Sequence, residues 1–177
     1  MKSYKFLFDK SLFPIIIVNL AKKVNDMDIG SGKKYPSSAL SNFAPHPFEI
    51  DGVECNSMEG FLQGLKFKNP EMQIEVCKLV GYAAKKKGRG KIWTDTLWWK
   101  GEPIDRFADG YQELLDRAYD ALAKNSGFRK ALLASNEAVL THSIGKRKEK
   151  DTILTVREFC GRLMRLRSKI KYEESRG

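Results

Sequence analysis

Three polar residues close together in the chain are the strongest candidates for chemistry. Glu59, Gln63 and Lys66 follow one another at intervals of four and three residues, so on a helix they lie within about 60° of one another. They lie beside an apolar stripe of the same helix, formed by Met58, Phe61, Leu62 and Leu65. A carboxylate, an amide and an ammonium in a row at the edge of the core can line a polar pocket.

The same residues also have a purely structural interpretation. Asn56 or Ser57 can cap this helix, and Asn56 with Glu59 three residues later has the spacing of a capping box, in which Glu59 closes the start of the helix. Gln63 and Lys66 would point into solvent. Spacing alone favours this second interpretation, because short motifs carry little information without their structural context.

Aromatic and basic residues further along the chain are candidates for ligand binding. The stretch 89–107 has no regular pattern and carries Trp93, Trp98 and Trp99. Such rings stack on nucleobases, with about 1–3 kcal/mol per base, or they anchor a hydrophobic core. Both interpretations stay open for Trp93 and Trp99, whereas Trp98 is assigned to the core.

The basic run at residues 85–89 is interpreted residue by residue. Its lysines suit the negative end of a helix dipole, whereas Arg89, just beyond Gly88, can hold a phosphate bidentately. The glycines at 30 and 32 do not complete a phosphate loop. Two histidines and three scattered cysteines have no zinc spacing, so we expect no metal ion and no redox cofactor.

The secondary structure elements expected to position these residues indicate a fold of the α+β class: a single compact, helix-rich domain with a few short strands. Strands are expected at residues 15–18, 48–50, 53–55 and 138–141, with Asp51-Gly52 as a hairpin turn. Helices are expected from Ser57, from Pro70 to Gly88, from Tyr111 to Leu122, at residues 128–134, and after Thr155. We expect an N-terminal extension at 1–26, the domain at 27–171 and a polar tail at 172–177.

Composition limits the class of protein. The chain has 177 residues, 42% of them hydrophobic and 31% charged, which suits one globular domain. Its formal charge of +10 predicts attraction to phosphate-bearing partners. The apolar run at residues 12–18 is too short to span a membrane, and unpaired cysteines fit a reducing compartment. We therefore expect a cytoplasmic protein without a membrane partner.

Five short motifs resemble the N-terminal signature of the NADAR (YbiA-like) family. They are Leu40-Ser41-Asn42-Phe43, Pro47-Phe48, Asp51-Gly52, Ser57-Met58-Glu59, and Gln63 followed by Lys66-Phe67. The likeness extends weakly over residues 28–167. It departs from the family at Gly60, which replaces the histidine after the motif glutamate, and at His142, which replaces a late acidic residue. The family's following Asp-x-x-Trp-Gly pattern is also missing, and the charged loop Lys146–Asp151 stands in its place.

The resemblance implies a YbiA-like α+β fold and an N-glycosidase acting on a ribosylated small molecule or on ADP-ribosylated nucleic acid. Riboflavin-pathway intermediates and ADP-ribosylated guanine are the two substrate classes implied. In this hypothesis Glu59 is catalytic and needs no cofactor. The substrate-binding residues would be Asn42, Phe43, Gln63, Lys66, Arg89, Trp93 and Trp99.

Two alternatives from other classes remain. The departures from the family suggest a module that binds ADP-ribose or a nucleotide without turnover. The positive charge suggests a basic nucleic-acid-binding protein, whose affinity would fall steeply with salt. The sequence leaves the oligomeric state undecided.

Overall fold

The computed structural model describes residues 25–90 and 95–176. The strand expected at residues 15–18 and the indole of Trp93 lie outside these ranges. Within them the helices are α1 (Met58–Gly64), α2 (Pro70–Cys77), α3 (Gly81–Gly88), α4 (Asp109–Leu122), α5 (Ser126–Ala134) and α6 (Val156–Glu174). The strands are β1 (Asp26–Asp28), β2 (Phe48–Ile50), β3 (Val53–Cys55), β4 (Thr96–Trp99), β5 (Glu102–Asp105) and β6 (Val139–Thr141).

The strands form three separate pairs. The predicted β2–β3 hairpin is confirmed, with Asp51 and Gly52 at φ 51° and 79°. A second hairpin, β4–β5, corrects the prediction that residues 89–107 are irregular throughout. Its turn is Lys100-Gly101, both at positive φ, and a lysine at such a position gives no turn signal in the sequence.

The predicted strand at 138–141 is confirmed as β6, but its partner was not foreseen. β1 pairs with it in parallel, with Met27 opposite Leu140. The sequence predicts the boundary between the N-terminal extension and the domain at residues 26 and 27, and it predicts no strand there. The pairing is decided by a segment more than 100 residues away along the chain.

Helix α1 is the centre of the molecule, since all seven of its residues are buried. α2 and α3 pack on it, and the predicted single helix from Pro70 to Gly88 is wrong because the chain turns between them. Gly81 takes φ +52° at the start of α3 and lies against Phe43. α2 has already ended at Cys77, and the left-handed backbone of Gly81 redirects the chain into α3.

Helices α4 and α6 complete the core with the expected apolar stripes. The buried residues are Tyr111, Leu114, Leu115, Ala118, Tyr119 and Leu122 on α4, and Phe159, Leu163, Leu166 and Ile170 on α6. The predicted capping box at Thr155 and Glu158 is confirmed. α6 continues to Glu174, so the first half of the polar tail expected at residues 172–177 belongs to a helix.

A buried ion pair fixes the segment that leads into α6. The guanidinium of Arg106, which is fully buried, donates to both carboxylate oxygens of Glu158 at 3.0 and 2.8 Å. Its Nε donates to the carbonyl of Thr152 at 3.1 Å, and Tyr111 donates from its hydroxyl to the carbonyl of Ile153. These hydrogen bonds hold residues 152–155 in place.

The three cysteines, Cys55, Cys77 and Cys160, are buried free thiols. Over residues 25–90 and 95–176, no helix combines the length and apolar character that crossing a bilayer requires.

Candidate active site

A cavity of about 460 Å³ opens beside α1. Its walls come from four parts of the chain: the segment 30–43, helix α1 with Lys66, helix α3, and the segment 142–159. A cavity of this volume is of the size that binds small molecules. Polar lining residues include Asn42, Glu59, Gln63, Lys66, Lys85, His142 and Asp151.

Glu59 lies at this cavity with its side chain only 6% exposed. Its backbone N–H donates to the carbonyl of Asn42 at 2.8 Å, which ties the start of α1 to the 30–43 segment. One carboxylate oxygen accepts from Gln63 Nε2 at 2.8 Å and lies 3.5 Å from Lys85 Nζ. A buried carboxylate is retained only with such partners.

The capping-box interpretation of Asn56 and Glu59 is wrong. Ser57 is the N-cap, and its hydroxyl accepts from the backbone N–H of Gly60 at 3.0 Å. Asn56 instead donates from its amide to the carbonyl of Lys78 at 2.8 Å. The helix end is closed without Glu59, so the carboxylate is free to face the cavity.

The side-chain amide of Gln63 donates a hydrogen bond from its nitrogen to Glu59. The oxygen of the same amide is held by packing alone. In the described part of the chain, its Oε1 is buried without a hydrogen-bond donor, at a cost of roughly 1–3 kcal/mol. A Cβ at Gly88 would overlap this oxygen. The absence of a side chain at position 88 therefore allows Gln63 to adopt the conformation that reaches Glu59.

Two ammonium groups flank the carboxylate. Lys66 and Lys85 both line the cavity, with Lys85 about half exposed. Burial, together with the charge of Lys85, lowers the pKa of Lys66, and the charge of Glu59 acts in the opposite direction. The ammonium groups of Lys66 and Lys85 are two positive charges near the single negative charge of Glu59. An additional anion in the cavity would therefore reduce the repulsion between the two lysines.

Asn42 and Phe43 also line the cavity, as the sequence predicted. The hydroxyl of Tyr119 donates to Asn42 Oδ1 at 3.0 Å, which fixes the orientation of the amide. Phe43 lies against Gly81 at the start of α3. The structure thus brings Asn42, Phe43, Glu59, Gln63 and Lys66 together from two separate segments.

Two further predicted residues, Trp99 and Arg89, do not line the cavity. Trp99 is 6% exposed, with its ring 5.2 Å from that of Phe61 and its Nε1 donating to Asp51 at 2.8 Å. It is a core residue, so the stacking role is excluded for it. Trp98, assigned to the core, is only half-buried beneath Lys68.

Arg89 is exposed and lies over the ring of Tyr82, outside the cavity wall. The preference for Arg89 over the neighbouring lysines is therefore wrong for the cavity, where Lys85 takes that place. A residue at position 85 faces α1 because Ala84 and Gly88 are buried on the same side of α3. The sequence alone did not fix this register, since it predicted one long helix.

The segment 142–159 supplies cavity residues that sequence reasoning missed. His142 Nδ1 lies 2.8 Å from the carbonyl of Ile29, and its ring meets Phe159 edge-on. Lys146 and Asp151 line the cavity from a charged loop that had been interpreted only as a departure from the family pattern. A charged loop has no signal that distinguishes a solvent-facing residue from one turned inward.

Among the described residues, no cluster of three or more His, Cys, Asp or Glu side chains is arranged to hold a metal ion. The cavity's charged and polar side chains are two carboxylates, amides, an imidazole, hydroxyls and ammonium groups, and they come from different elements.

Gly60 stands where the resemblance places a histidine, and the structure gives the reason. A Cβ at this position would lie 2.6 Å from each of the carbonyl oxygens of Cys77 and Leu79. The chain between α2 and α3 occupies the space that a side chain would need. Backbone carbonyls cannot move aside as a flexible side chain can.

Replacing Gly60 by alanine is therefore expected to destabilise the protein by about 1–3 kcal/mol through overpacking. The free energy of unfolding in urea would measure this. Gly161→Ala is the matched control, because nothing lies within 4 Å of a Cβ there and alanine favours an exposed helix. Equal stability of the two variants would contradict the close approach of residues 76–79.

Comparison with known proteins agrees with this architecture. The family described as "Bacteriophage protein GP30.3" matches residues 34–168. An uncharacterized 17.1 kDa protein of the Gp30–rIII intergenic region of Enterobacteria phage T4 is 43% identical over 152 residues, covering 83% of this chain and 100% of the relative.

Among solved structures, the NMR structure of the E. coli protein YbiA superposes with a TM-score of 0.55. It has 19% sequence identity, over 88% of this chain and 94% of YbiA. At this identity the likeness concerns the fold, and it confirms the expected YbiA-like α+β domain.

Proposed function

The chain belongs to the bacteriophage protein GP30.3 family, a NADAR-type family with the YbiA fold, and from this premise we propose that it hydrolyses ribose–base N-glycosidic bonds. The observation that carries the proposal is the buried carboxylate of Glu59 at the wall of a 460 Å³ cavity. A buried carboxylate that faces a cavity and is not needed to cap its helix is a candidate for chemistry.

In the proposed reaction the bond between C1′ of the ribose and the base nitrogen breaks. The base leaves with the bonding electrons and takes up a proton, while water adds to C1′. Positive charge develops on the sugar, and the Glu59 carboxylate stabilises it and accepts a proton from the attacking water. Because the Glu59 side chain is only 6% exposed, this electrostatic stabilisation is stronger than in solution.

The remaining cavity residues have supporting roles in this proposal. Gln63 is a positioning residue, because its amide bonds to Glu59 itself. Asn42, oriented by Tyr119, directs its NH₂ towards a ribose hydroxyl or the water. Lys66 and Lys85 hold a phosphate of the substrate, which supplies the anion that two neighbouring cations favour.

The direct test is product analysis by mass spectrometry. The protein would be incubated with a panel of ribosylated small molecules, including phosphoribosylated intermediates of riboflavin synthesis, and with ADP-ribosylated DNA. We expect a free base together with a ribose-containing product that gains one water. A panel that stays intact, although its members bind, would overturn the proposal.

A binding module without turnover is the second candidate, favoured by the contact of Glu59 with Lys85. An ion pair formed at the cavity wall can serve recognition alone. Calorimetry with ADP-ribose, run beside the product assay, separates the two functions. Saturable binding without product supports the module, and product formation excludes it.

Gly88→Ala is expected to slow the proposed hydrolysis by about tenfold, the equivalent of one lost hydrogen bond of about 1.4 kcal/mol. A methyl group at position 88 overlaps Gln63 Oε1, so the amide must leave Glu59. We expect kcat to fall with little change in KM.

A double-mutant cycle provides the control. Once Gln63 is replaced by alanine, Gly88→Ala has nothing left to displace and should add no further loss. Strictly additive effects of the two substitutions would show that Gly88 does not act through Gln63.

A further inference from the structure

Of the two histidines in the chain, His142 lines the cavity and His46 does not. His142 Nδ1 lies 2.8 Å from the carbonyl oxygen of Ile29, and because a carbonyl oxygen only accepts, Nδ1 carries the hydrogen of this bond. In the neutral ring, Nε2 therefore holds the lone pair. Among residues 25–90 and 95–176, Nε2 has no hydrogen-bond partner, so it is the ring nitrogen that remains for a ligand.

The imidazole of His142 is held in one orientation by its neighbours. Its ring centre lies 5.4 Å from that of Phe159, at an angle of 85° between the planes. Gly145 donates its N–H to the carbonyl of His142 at 3.1 Å, and a Cβ at Gly145 would lie 2.6 Å from Cδ2 of the ring. The next residue, Ser143, donates its N–H and its hydroxyl to the carboxylate of Asp28 at 2.7 and 2.9 Å. Such fixed support is what a group needs if it is to meet a reacting atom.

The proposed hydrolysis moves two protons, and Glu59 accounts for one of them. Glu59 accepts a proton from the attacking water. The base nitrogen needs the other proton, because a nitrogen that departs with the bonding electrons and without a proton departs as an unstable anion. A proton donor held at the cavity would speed this step.

His142 suits this step by its chemistry and by its place in the cavity. An imidazole gives and takes protons near neutral pH, whereas an ammonium group such as that of Lys85 is ordinarily a much weaker acid. Lys85 also lies beside Glu59, at 3.5 Å, where the proton of the water is accepted. His142 belongs to the segment 142–159, which forms a different wall of the cavity from α1. A substrate between these walls can therefore meet a base at Glu59 and an acid at His142.

We propose that His142 is the general acid of the hydrolysis, which gives its Nε2 proton to the departing base. The inference rests on the proposed function of the cavity. As the bond from C1′ to the base nitrogen breaks, the bonding electrons stay on that nitrogen and it takes the proton from Nε2, so the imidazole becomes neutral. The oxygen of the water bonds to C1′ and its proton goes to Glu59. Solvent then returns a proton to His142 and removes one from Glu59, so the complete reaction consumes one water.

The variant for the test is His142→Asn. The amide NH₂ of asparagine can take the place of Nδ1 at the carbonyl of Ile29, but asparagine has no atom at the position of Nε2. The matched control is His46→Gln. His46 Nε2 lies 2.9 Å from the carbonyl of Ala39 and its ring lies edge-on to Phe128 at 5.9 Å, so this histidine has a similar setting away from the cavity.

The two probes share ADP-ribose and differ in whether the leaving base needs a proton. In ADP-ribosylated guanine, joined to C1′ through its exocyclic amine, the amine has to be protonated as it leaves. In NAD⁺, nicotinamide leaves as a neutral molecule and needs no proton. The release of guanine and of nicotinamide would be followed by liquid chromatography with mass spectrometry.

We expect His142→Asn to slow the release of guanine by about 100-fold or more, as the loss of a general acid does, through kcat rather than KM. The release of nicotinamide should stay within about twofold of the wild-type rate, because protonation does not assist it. The control His46→Gln should match the wild type with both probes. Misplaced structure would slow both probes alike, so the ratio of the two rates is the diagnostic quantity.

If the wild type cleaves only one of the probes, rescue of His142→Ala by imidazole added to the buffer takes the place of the ratio. With ADP-ribosylated guanine the rate of the variant should rise in proportion to imidazole, whereas cleavage of NAD⁺ alone would overturn the assignment. Equal slowing of both probes, unchanged release of guanine, or no rescue by imidazole would also overturn it. Failure of the glycosidase proposal would appear in the wild type, which would cleave neither probe and end both proposals, whereas failure of this one appears only in the variants.

Discussion

Replacing Glu59 by glutamine is expected to lower the rate of N-glycosidic hydrolysis by about 10²–10⁴-fold. Glutamine has nearly the same shape and can still accept the hydrogen bond from Gln63, but it carries no charge and is a poor base. The fold and the affinity for substrate should persist. Single-turnover rates and calorimetry on the same variant would measure the two effects separately.

Glu54→Gln is the matched control for this substitution. Glu54 lies on β3, five residues before Glu59, and its side chain is exposed, so its loss should leave the rate unchanged. If the Glu59 variant released free base at the wild-type rate, another residue would be the catalytic one. Asp151, the second carboxylate at the cavity, would then be the first to replace.

The second large effect is expected on stability. Glu158→Gln removes the only charge that faces the fully buried Arg106 within the described structure, and it turns an NH₂ group towards the donors of Arg106 and Thr155. Breaking one partner of a buried ion pair costs about 3–5 kcal/mol. Urea denaturation, followed by circular dichroism, would show this as a lower midpoint with an unchanged slope.

Glu174→Gln on the same helix is the control. Its carboxylate lies 3.4 Å from Arg129 with both side chains partly exposed, and surface pairs of this kind contribute about 0–1 kcal/mol. If Glu158→Gln cost no more than Glu174→Gln, the ion pair with Arg106 would not stabilise the segment 152–155.

The loss of unfolding free energy caused by Glu158→Gln should also depend on pH. Burial raises the pKa of Glu158, but hydrogen bonds from Arg106, Thr155 and Gln112 outweigh burial and hold it below 4.5. A carboxyl whose pKa is lower in the folded state than in the unfolded state stabilises the fold fully at pH values above its unfolded pKa. This contribution is lost as the pH falls. The difference in free energy of unfolding between the wild type and the variant should therefore become smaller below about pH 4.5.

The comparison of sequence with structure is most instructive at α1. Its apolar spacing predicted the helix and its buried side, and the family signature selected Glu59 and Gln63. Spacing could not decide whether Glu59 caps the helix or faces a cavity. That choice depended on Ser57 taking the cap and on Lys85 arriving from α3, which are contacts between segments far apart in the chain.

Local signals therefore determined the hairpin at Asp51-Gly52, the stripes of α4 and α6 and the capping box at Thr155, because each depends on neighbouring residues alone. The tertiary structure alone decided the β1–β6 pair, the burial of Trp99, the entry of Lys85 and Asp151 into the cavity, and the need for glycine at position 60. These features arise where backbone from distant segments meets, and the meeting is set by how buried surfaces fit together rather than by any residue's own preference.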